Sequence, residues 1–374
     1  MLAECNSRRG AVERRDHRTH TTRAMDRRRF IHGMLGAAAS TVLAEGCTRT
    51  AVRRETANAT SRAMTVRGWI NASDMGLTLP HEHALVSFQP YAEWARQPLA
   101  YDRDEVVSVV LPRLRRLRAL GCRTFVDATP MQVGRDPALL RRLSEESGLH
   151  VLTPTGNYAA RENSFLPPHV YSLAAEALAG RWIREWTDGI DGTGIRPGFI
   201  KLGFNGKPLS DVERKLIHAG ALTHRETGLA IGAHTGPAVA AVEQLAILER
   251  EGVHPSAWIW IHAQSEPDSA RHIAAARRGA WIEFDGIDPR SLEQHVAFVT
   301  RLRDAGLLDR VLISQDAGWY NVGQPGGHMA RSYEVMFTDF LPALRARGFS
   351  AAEIDTLLVR NPAKAFSVTV RTTR

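Results

Sequence analysis

The chain has 374 residues, which fits two ordinary domains or one large α/β barrel, and its 44% hydrophobic and 24% charged content suits a globular protein with a large core. Its formal charge is +8, but residues 1–62 hold 13 Arg against 6 Asp or Glu, so +7 sits in a tail and the rest is nearly neutral. A near-neutral body gives no sign of the basic groove a nucleic-acid partner needs, and with Cys5 and Cys47 in the tail the single remaining thiol, Cys122, cannot staple the fold.

Residues 1–24 read as disordered polar sequence and as an over-extended gene start, with Met25 as the true beginning. Residues 25–59 read as a signal: a basic start at Arg27 and Arg28, then Phe30 and a Gly/Ala-rich apolar segment too short to span a bilayer. The Arg-Arg-x-Phe order is similar to the twin-arginine export signal, which implies passage of the folded protein through the twin-arginine machinery to a periplasmic or extracellular location. A basic arm without an address is the plainer reading of the same residues. Cleavage is expected after Ala57–Ala59; lipid anchoring at Cys47 is the lesser alternative, because Ala44 and Glu45 fit that box poorly. Either way, Cys122 is the one thiol expected in a soluble mature chain.

From residue 65 to 374 one rhythm repeats: a short apolar run, then a longer amphipathic stretch. The runs fall at 77–83, 122–129, 150–156, 198–204, 229–235, 258–264, 281–287 and 310–316. Runs of this kind, rich in Val, Ile, Phe and Trp, suit parallel strands buried on both faces. Residues 104–120 carry helical spacing, and 210–228 opens with Ser210 and Glu213 in capping-box order and stops at Gly228. Eight strands alternating with helices predict a (β/α)₈ TIM barrel. A doubly wound sheet is the competing architecture, but no Gly-rich phosphate loop follows the first strand.

Barrel enzymes draw their chemistry from the C-terminal ends of strands. Those ends hold His81 and His83 on strand one, Lys201 on strand four, His234 on strand five, His262 on strand six and Asp316 on strand eight. Five of the six are ordinary metal-ligand types. Lys201 is surrounded by Phe199, Ile200 and Leu202; burial there costs several kcal/mol unless the charge is paired or lost. A desolvated lysine is a nucleophilic amine, open to Schiff-base formation or to addition of carbon dioxide as a carbamate. The company of four histidines and an aspartate favours the carbamate.

This set, with "LTLPHEH", "GFIKLGFNG", "AHTG" and "LLVRNPAKAF", resembles the phosphotriesterase family of the amidohydrolase superfamily over most of the chain after the signal. The resemblance implies a binuclear centre of divalent ions, usually zinc, with His81, His83 and Asp316 on one ion and His234 and His262 on the other. N6-carboxylated Lys201 and a hydroxide would bridge the pair, and Asp316 would take the proton of the attacking water. Asp127 and Asp285 are candidates to orient the histidines from behind, with salt-bridge or capping roles as the alternative. The family's organophosphate hydrolases use a His after strand seven and an Asp after strand six as a proton relay. An ungapped alignment puts Gly286 and Ser265 at those places, which disfavours phosphotriesters.

Residues 155–170 resemble lactonase-like relatives, which carry a Tyr near the metals. Tyr158 is therefore a candidate donor to a substrate oxygen, with Arg161 and Trp319 as further pocket residues. The loop 316–328 is expected to be a lid, and His218, His224, His272 and His295 to lie on the surface. Trp258, Trp260 and Trp281 are expected in the core. The function expected is a metal-dependent hydrolase of a small lactone or carboxylic ester, with phosphotriester hydrolysis as the nearest alternative. A Schiff-base lyase and a non-catalytic binding protein are the other classes. The family likeness also suggests a homodimer.

Overall fold

A computed structural model describes residues 61–373 apart from Ala330. The expected signal, its cleavage site, Cys5 and Cys47 lie outside the described residues. Eight parallel strands form the centre: β1 Thr78–Val86, β2 Thr124–Asp127, β3 His150–Leu152, β4 Phe199–Gly203, β5 Ile231–His234, β6 Trp258–Ile261, β7 Trp281–Phe284 and β8 Val311–Ile313. Helices follow in turn: α1 Arg103–Ala119, α2 Pro137–Ser147, α3 Ala175–Asp188, α4 Asp211–Thr227, α5 Ala238–Arg250, α6 Ser269–Arg278 and α7 Leu292–Asp304. After β8 a π-helical turn, Met336–Phe340, runs into α8, Leu341–Ala346. This is the expected (β/α)₈ TIM barrel.

Pairing runs unbroken from β8 through β7, β6, β5 and β4 to Pro154–Thr155, and separately from a short strand, Gly318–Asn321, through β1 and β2 to β3. Two seams join these runs. At one, Thr153 alone separates β3 from Pro154–Thr155. At the other, the Asp316 N–H donates to His81 O (3.1 Å) and the His83 N–H to Ala317 O (3.0 Å).

The strand pleat sorts side chains between two cores. Facing the helices are Phe125, Ile200, Leu202, Trp258, Trp260, Ile282 and Phe284, together with the buried face of α1 (Val106, Val110, Leu114 and Leu117). Inside the barrel are Val126, Leu152, Phe199, Ile259, Ile261, Trp281 and Leu312. The three strand tryptophans are thus core residues, as expected. Because the side-chain period is two, Phe199 inside puts Lys201 inside, and Trp281 inside puts Glu283 inside. Helix α4 has the predicted capping box at Ser210 and Glu213 and ends at Gly228 in the left-handed region (φ 75°).

Glu82 closes the second seam. Its carboxylate accepts from Ser314 Oγ (2.8 Å), Gln315 N (3.0 Å) and Ala317 N (2.7 Å), binding β1 to the backbone on both sides of Asp316. Burial pushes its carboxyl up to about 8, against the pull of the Ala317, Ser314 and Gln315 donors. Tyr333 adds a hydroxyl bond to His83 O (2.7 Å), and Gly318 (φ 94°) is required there: a Cβ would lie 2.1 Å from that hydroxyl and 2.2 Å from His83 O.

Four expectations need correction. An antiparallel hairpin, Arg62–Thr65 with Gly68–Asn71, precedes the barrel and is coupled to β3 by Val66 N–H to Val151 O (2.8 Å). Its strands are too short to show a period. The loop expected as a lid is partly strand: Gly318 pairs opposite His83 and Tyr320 opposite Leu85. His224, His272 and His295 are buried rather than superficial: backbone partners both nitrogens of His224 and one nitrogen each of His272 and His295. His224 bonds Leu229 O and accepts from the Arg371 N–H; His272 bonds Ala263 O and His295 bonds Ser291 O. Asp127, discussed below, is the fourth.

These contacts are open to mutation. Glu82→Ala leaves three buried donors unanswered and should destabilise the fold by about 3–5 kcal/mol in chemical denaturation, although it removes no side chain facing the cavity; a loss under about 1 kcal/mol would refute the seam. Burial holds the pKa of His224 below its ordinary value. The unfolded chain therefore binds protons below about pH 6.5 that the fold refuses, so stability present above that pH falls as pH drops. In chelator, His224→Phe should cost about 1–3 kcal/mol at pH 8 through its orphaned partners, yet show a shallower loss of Tm from pH 7 to pH 5. An unchanged slope would contradict the assignment.

Candidate metal centre

A cavity of about 610 Å³ opens at the C-terminal ends of the strands, and all of His81, His83, Lys201, His234, His262 and Asp316 line it. Tyr158, Arg161 and Trp319 line it too. The structure thus brings together every side chain the sequence proposes for ligation and for substrate contact. His81, His262 and Asp316 each offer an atom within 4.8 Å of the others. Asp316 Oδ1 lies 3.0 Å from His83 Nε2 and 3.7 Å from His81 Nε2. Lys201 Nζ lies 3.4 Å from His81 Nε2, its one hydrogen-bond partner among the described residues.

Three of the four histidines, His81, His83 and His262, are held from behind through Nδ1. His81 Nδ1 meets Glu283 Oε1 (2.8 Å) and Asp285 Oδ2 (2.9 Å), and His262 Nδ1 meets Asp285 Oδ1 (2.6 Å). His83 Nδ1 lies 2.7 Å from the Thr129 hydroxyl, which itself donates to Leu85 O, so the ring donates there. Nε2 of each ring is left with a lone pair for the cavity. Asp285 therefore meets two of the rings, one with each oxygen. Asp127 orients none: its oxygens accept from the Ala84 N–H (2.8 Å) and the Thr129 N–H (3.0 Å), so it pins backbone beneath His83.

The backbone is strained where the ligand candidates turn inward. His262 (φ 60°), Asp316 (φ 48°) and Trp319 (φ 67°) are left-handed. Such conformations cost about 1–3 kcal/mol each and persist where neighbours over-determine them. Asp285 Oδ2 holds the His262 N–H (3.1 Å), and Arg331 Nη1 donates to Asp316 O (2.8 Å).

Burial, then the charge of Lys201, lowers His81 to about 3; burial and then His262 take His234 well below the usual imidazole value. Burial also lowers Lys201, against the pull of Glu283, Asp285 and Asp316. Burial works to raise Asp285, yet His262 and His81 hold it well below the carboxylate range, while burial and Asp285 push Glu283 well above it. Burial opposes Asp316 as well, but the His83 hydrogen bond and His81 keep it low. Imidazole nitrogens, a buried amine whose charge is opposed by burial, and a carboxylate held low by its histidine neighbours form a donor set around one cavity that fits divalent cations.

Four contributors are missed by reading strand ends alone: Glu82, Thr129, Glu283 and Gln264. Glu283 is detectable from the pleat, being on the inward face of β7 with Trp281. Gln264 donates to Asp285 Oδ1 (2.7 Å) and accepts from its N–H (3.3 Å), and it fills the space beside Gly286, where a Cβ would come within 2.8 Å of its Nε2. Ser265 reaches the cavity wall; Gly286 does not. Gly203 makes room for Tyr158, since a Cβ there would lie 2.4 Å from the phenol ring. The Tyr158 hydroxyl lies 2.9 Å from His234 Nδ1.

Comparison with known proteins agrees with this geometry. The model of the phosphotriesterase family matches residues 61–366. The "Phosphotriesterase homology protein" of Escherichia coli is 30% identical over 296 residues, covering 78% of this chain and 98% of that protein. The solved organophosphorus hydrolase from Deinococcus radiodurans is 31% identical with a TM-score of 0.75, covering 82% of this chain and 97% of that one. A solved enzyme described as organophosphate hydrolysis activity engineered from a weak promiscuous lactonase template is also 31% identical, with a TM-score of 0.74, covering 82% and 99%. The chain is a hydrolase of the phosphotriesterase family.

Proposed function

We propose that this chain hydrolyses a small carboxylic ester or lactone at a centre of two divalent cations, with zinc the fitting metal. His81, His83 and Asp316 would hold one ion and His234 and His262 the other, with Lys201 as an N6-carboxylate between them. Carboxylation joins the neutral Nζ to the carbon of carbon dioxide and releases one proton, turning a buried amine into an anion. The burial of Lys201 without a carboxylate in hydrogen-bond contact among the described residues supports that step. When bound, the cations supply an activated water near neutral pH and a Lewis acid for the substrate oxygen.

The chain's own residues do the rest. Asp316, ionised and facing the cavity, accepts the proton released as water attacks. Asp285, Glu283 and Thr129 fix the rings of His81, His83 and His262, so the site needs little reorganisation. Tyr158, its phenol kept protonated by burial, donates to the oxygen on which charge develops. Trp319 and Phe88 form an aromatic wall along the cavity.

The observation that carries the ester reading is the pairing of Tyr158 beside His234 with the loss of the relay at Gly286 and Ser265. The likeness to an enzyme built from a lactonase template supports it. Phosphotriester hydrolysis is then a slower side activity. Export through the twin-arginine machinery, resting on Arg27, Arg28 and Phe30, belongs to the same reading. The test is a panel of lactones, aryl esters and an aryl dialkyl phosphate with the zinc-loaded enzyme. Lactones or aryl esters should lead in kcat/KM, and Tyr158→Phe should lower kcat on them about 10- to 100-fold with the fold intact. Faster phosphotriester turnover would move the function to that class.

A further inference from the structure

Beyond the ligand set, the cavity carries one full cation without a partner. Arg161 lines it, and no carboxylate pairs with its guanidinium among the described residues. The neighbouring carboxylate, Glu162, is taken up by Lys207 Nζ at 2.6 Å. The Arg161 guanidinium lies over the Phe88 ring, 4.4 Å from its centroid. Phe88 packs against Trp319 (5.6 Å), and Trp319 against His83 (6.0 Å). An aromatic wall thus runs from the ligand cluster to a positive charge at the exposed rim of the cavity.

That charge is held at a conformational cost. Arg161, Glu162 and Asn163 are all left-handed (φ 57°, 54° and 63°), a full turn of a conformation that costs non-glycine residues roughly 1–2 kcal/mol each. The turn is locked by Asn163 N–H to Ala159 O (2.9 Å) and by Glu162 N–H to Asn205 Oδ1 (2.8 Å). Strain of this kind, over-determined by neighbours on a cavity rim, is typical of a functional clamp. Stacking on Phe88 orients the planar guanidinium, whose donor fork matches a carboxylate.

Resting on the hydrolase reading above, we propose that the substrate of this enzyme is anionic: a carboxylate, separated from the scissile ester by an apolar spacer that lies along Trp319 and Phe88, is bound by Arg161. The residue thereby sets specificity and takes no part in bond breaking. Its charge also attracts such substrates to the cavity mouth in a salt-dependent way.

The test uses two p-nitrophenyl esters of equal chain length, the neutral octanoate and the anionic monoester of octanedioic acid, with the full-length zinc-loaded enzyme. The ratio of kcat/KM for the anionic over the neutral ester should be about 10 or more, and 0.5 M salt should lower it. Arg161→Met should bring the ratio towards 1, chiefly through KM; Arg161→Asn, which suits the left-handed backbone, should do the same, and Arg161→Lys should keep part of it. A wild-type ratio at or below 1, or the same ratio in the variants, overturns the proposal. If neither ester is hydrolysed, the ester-hydrolase reading fails instead, and binding of octanedioate followed by tryptophan fluorescence decides the anion site. About 10-fold weaker binding in Arg161→Met upholds it, and equal binding overturns it.

Discussion

The mouth of this barrel depends on one buried carboxylate. Glu82 sits between the two histidines of β1, on the opposite face of the strand, and it answers backbone donors on either side of Asp316. A strand whose alternate residues face the cavity can be placed there only if its other face is anchored, and Glu82 is that anchor. Through it, β1 and the chain after β8 become one rigid unit, and His81, His83 and Asp316 keep fixed separations. The left-handed turn at Asp316 follows, since a residue held by its neighbours on both sides has no extended alternative that still reaches the cavity.

Around that unit the protein buries several ionisable groups together, and burial opposes the charged form of each one whose pKa is shifted. Burial lowers the pKa of Lys201, His81 and His234 and raises that of Glu283, while the rings beside Asp285 and Asp316 hold those carboxyls low. A site that rests with free lone pairs and two carboxylates is poised for cations, and a resident cation would in turn remove the like-group crowding between His234 and His262, whose ring centres are 4.3 Å apart. Stability at this end of the barrel is thus coupled to what binds there, whereas the apolar layers under the helices hold the rest of the fold.

Much of this is legible in the sequence. Eight apolar runs at regular spacing point to the barrel because every strand is buried on both faces, and strand ends supply the six ligand candidates because the fold collects those ends at one face. What escapes lies one pleat deeper or depends on register. Glu283 belongs to the interior, two residues ahead of Asp285 at the end of the β7 run. Thr129 and Gln264 are small polar residues whose roles come from what they touch. Asp127 departs from expectation because its carboxylate is taken by the Ala84 and Thr129 N–H groups, beside the irregular register of β1 against β2 between Leu79 and Glu82. The three buried helical histidines do so because burial of a neutral ring with one backbone partner leaves no mark on helical periodicity.

Metal content tests the assembly of this centre most directly: elemental mass spectrometry of the full chain, purified with zinc and bicarbonate and then desalted, beside Lys201→Ala. About two ions per wild-type chain and fewer than one in the variant are expected, because on the proposed reading a carboxylated Lys201 would hold the pair together. Two ions in both proteins would leave a metal centre but remove the carboxylated lysine from it. No retained metal in the wild type would contradict the central claim that these six side chains assemble a binuclear site.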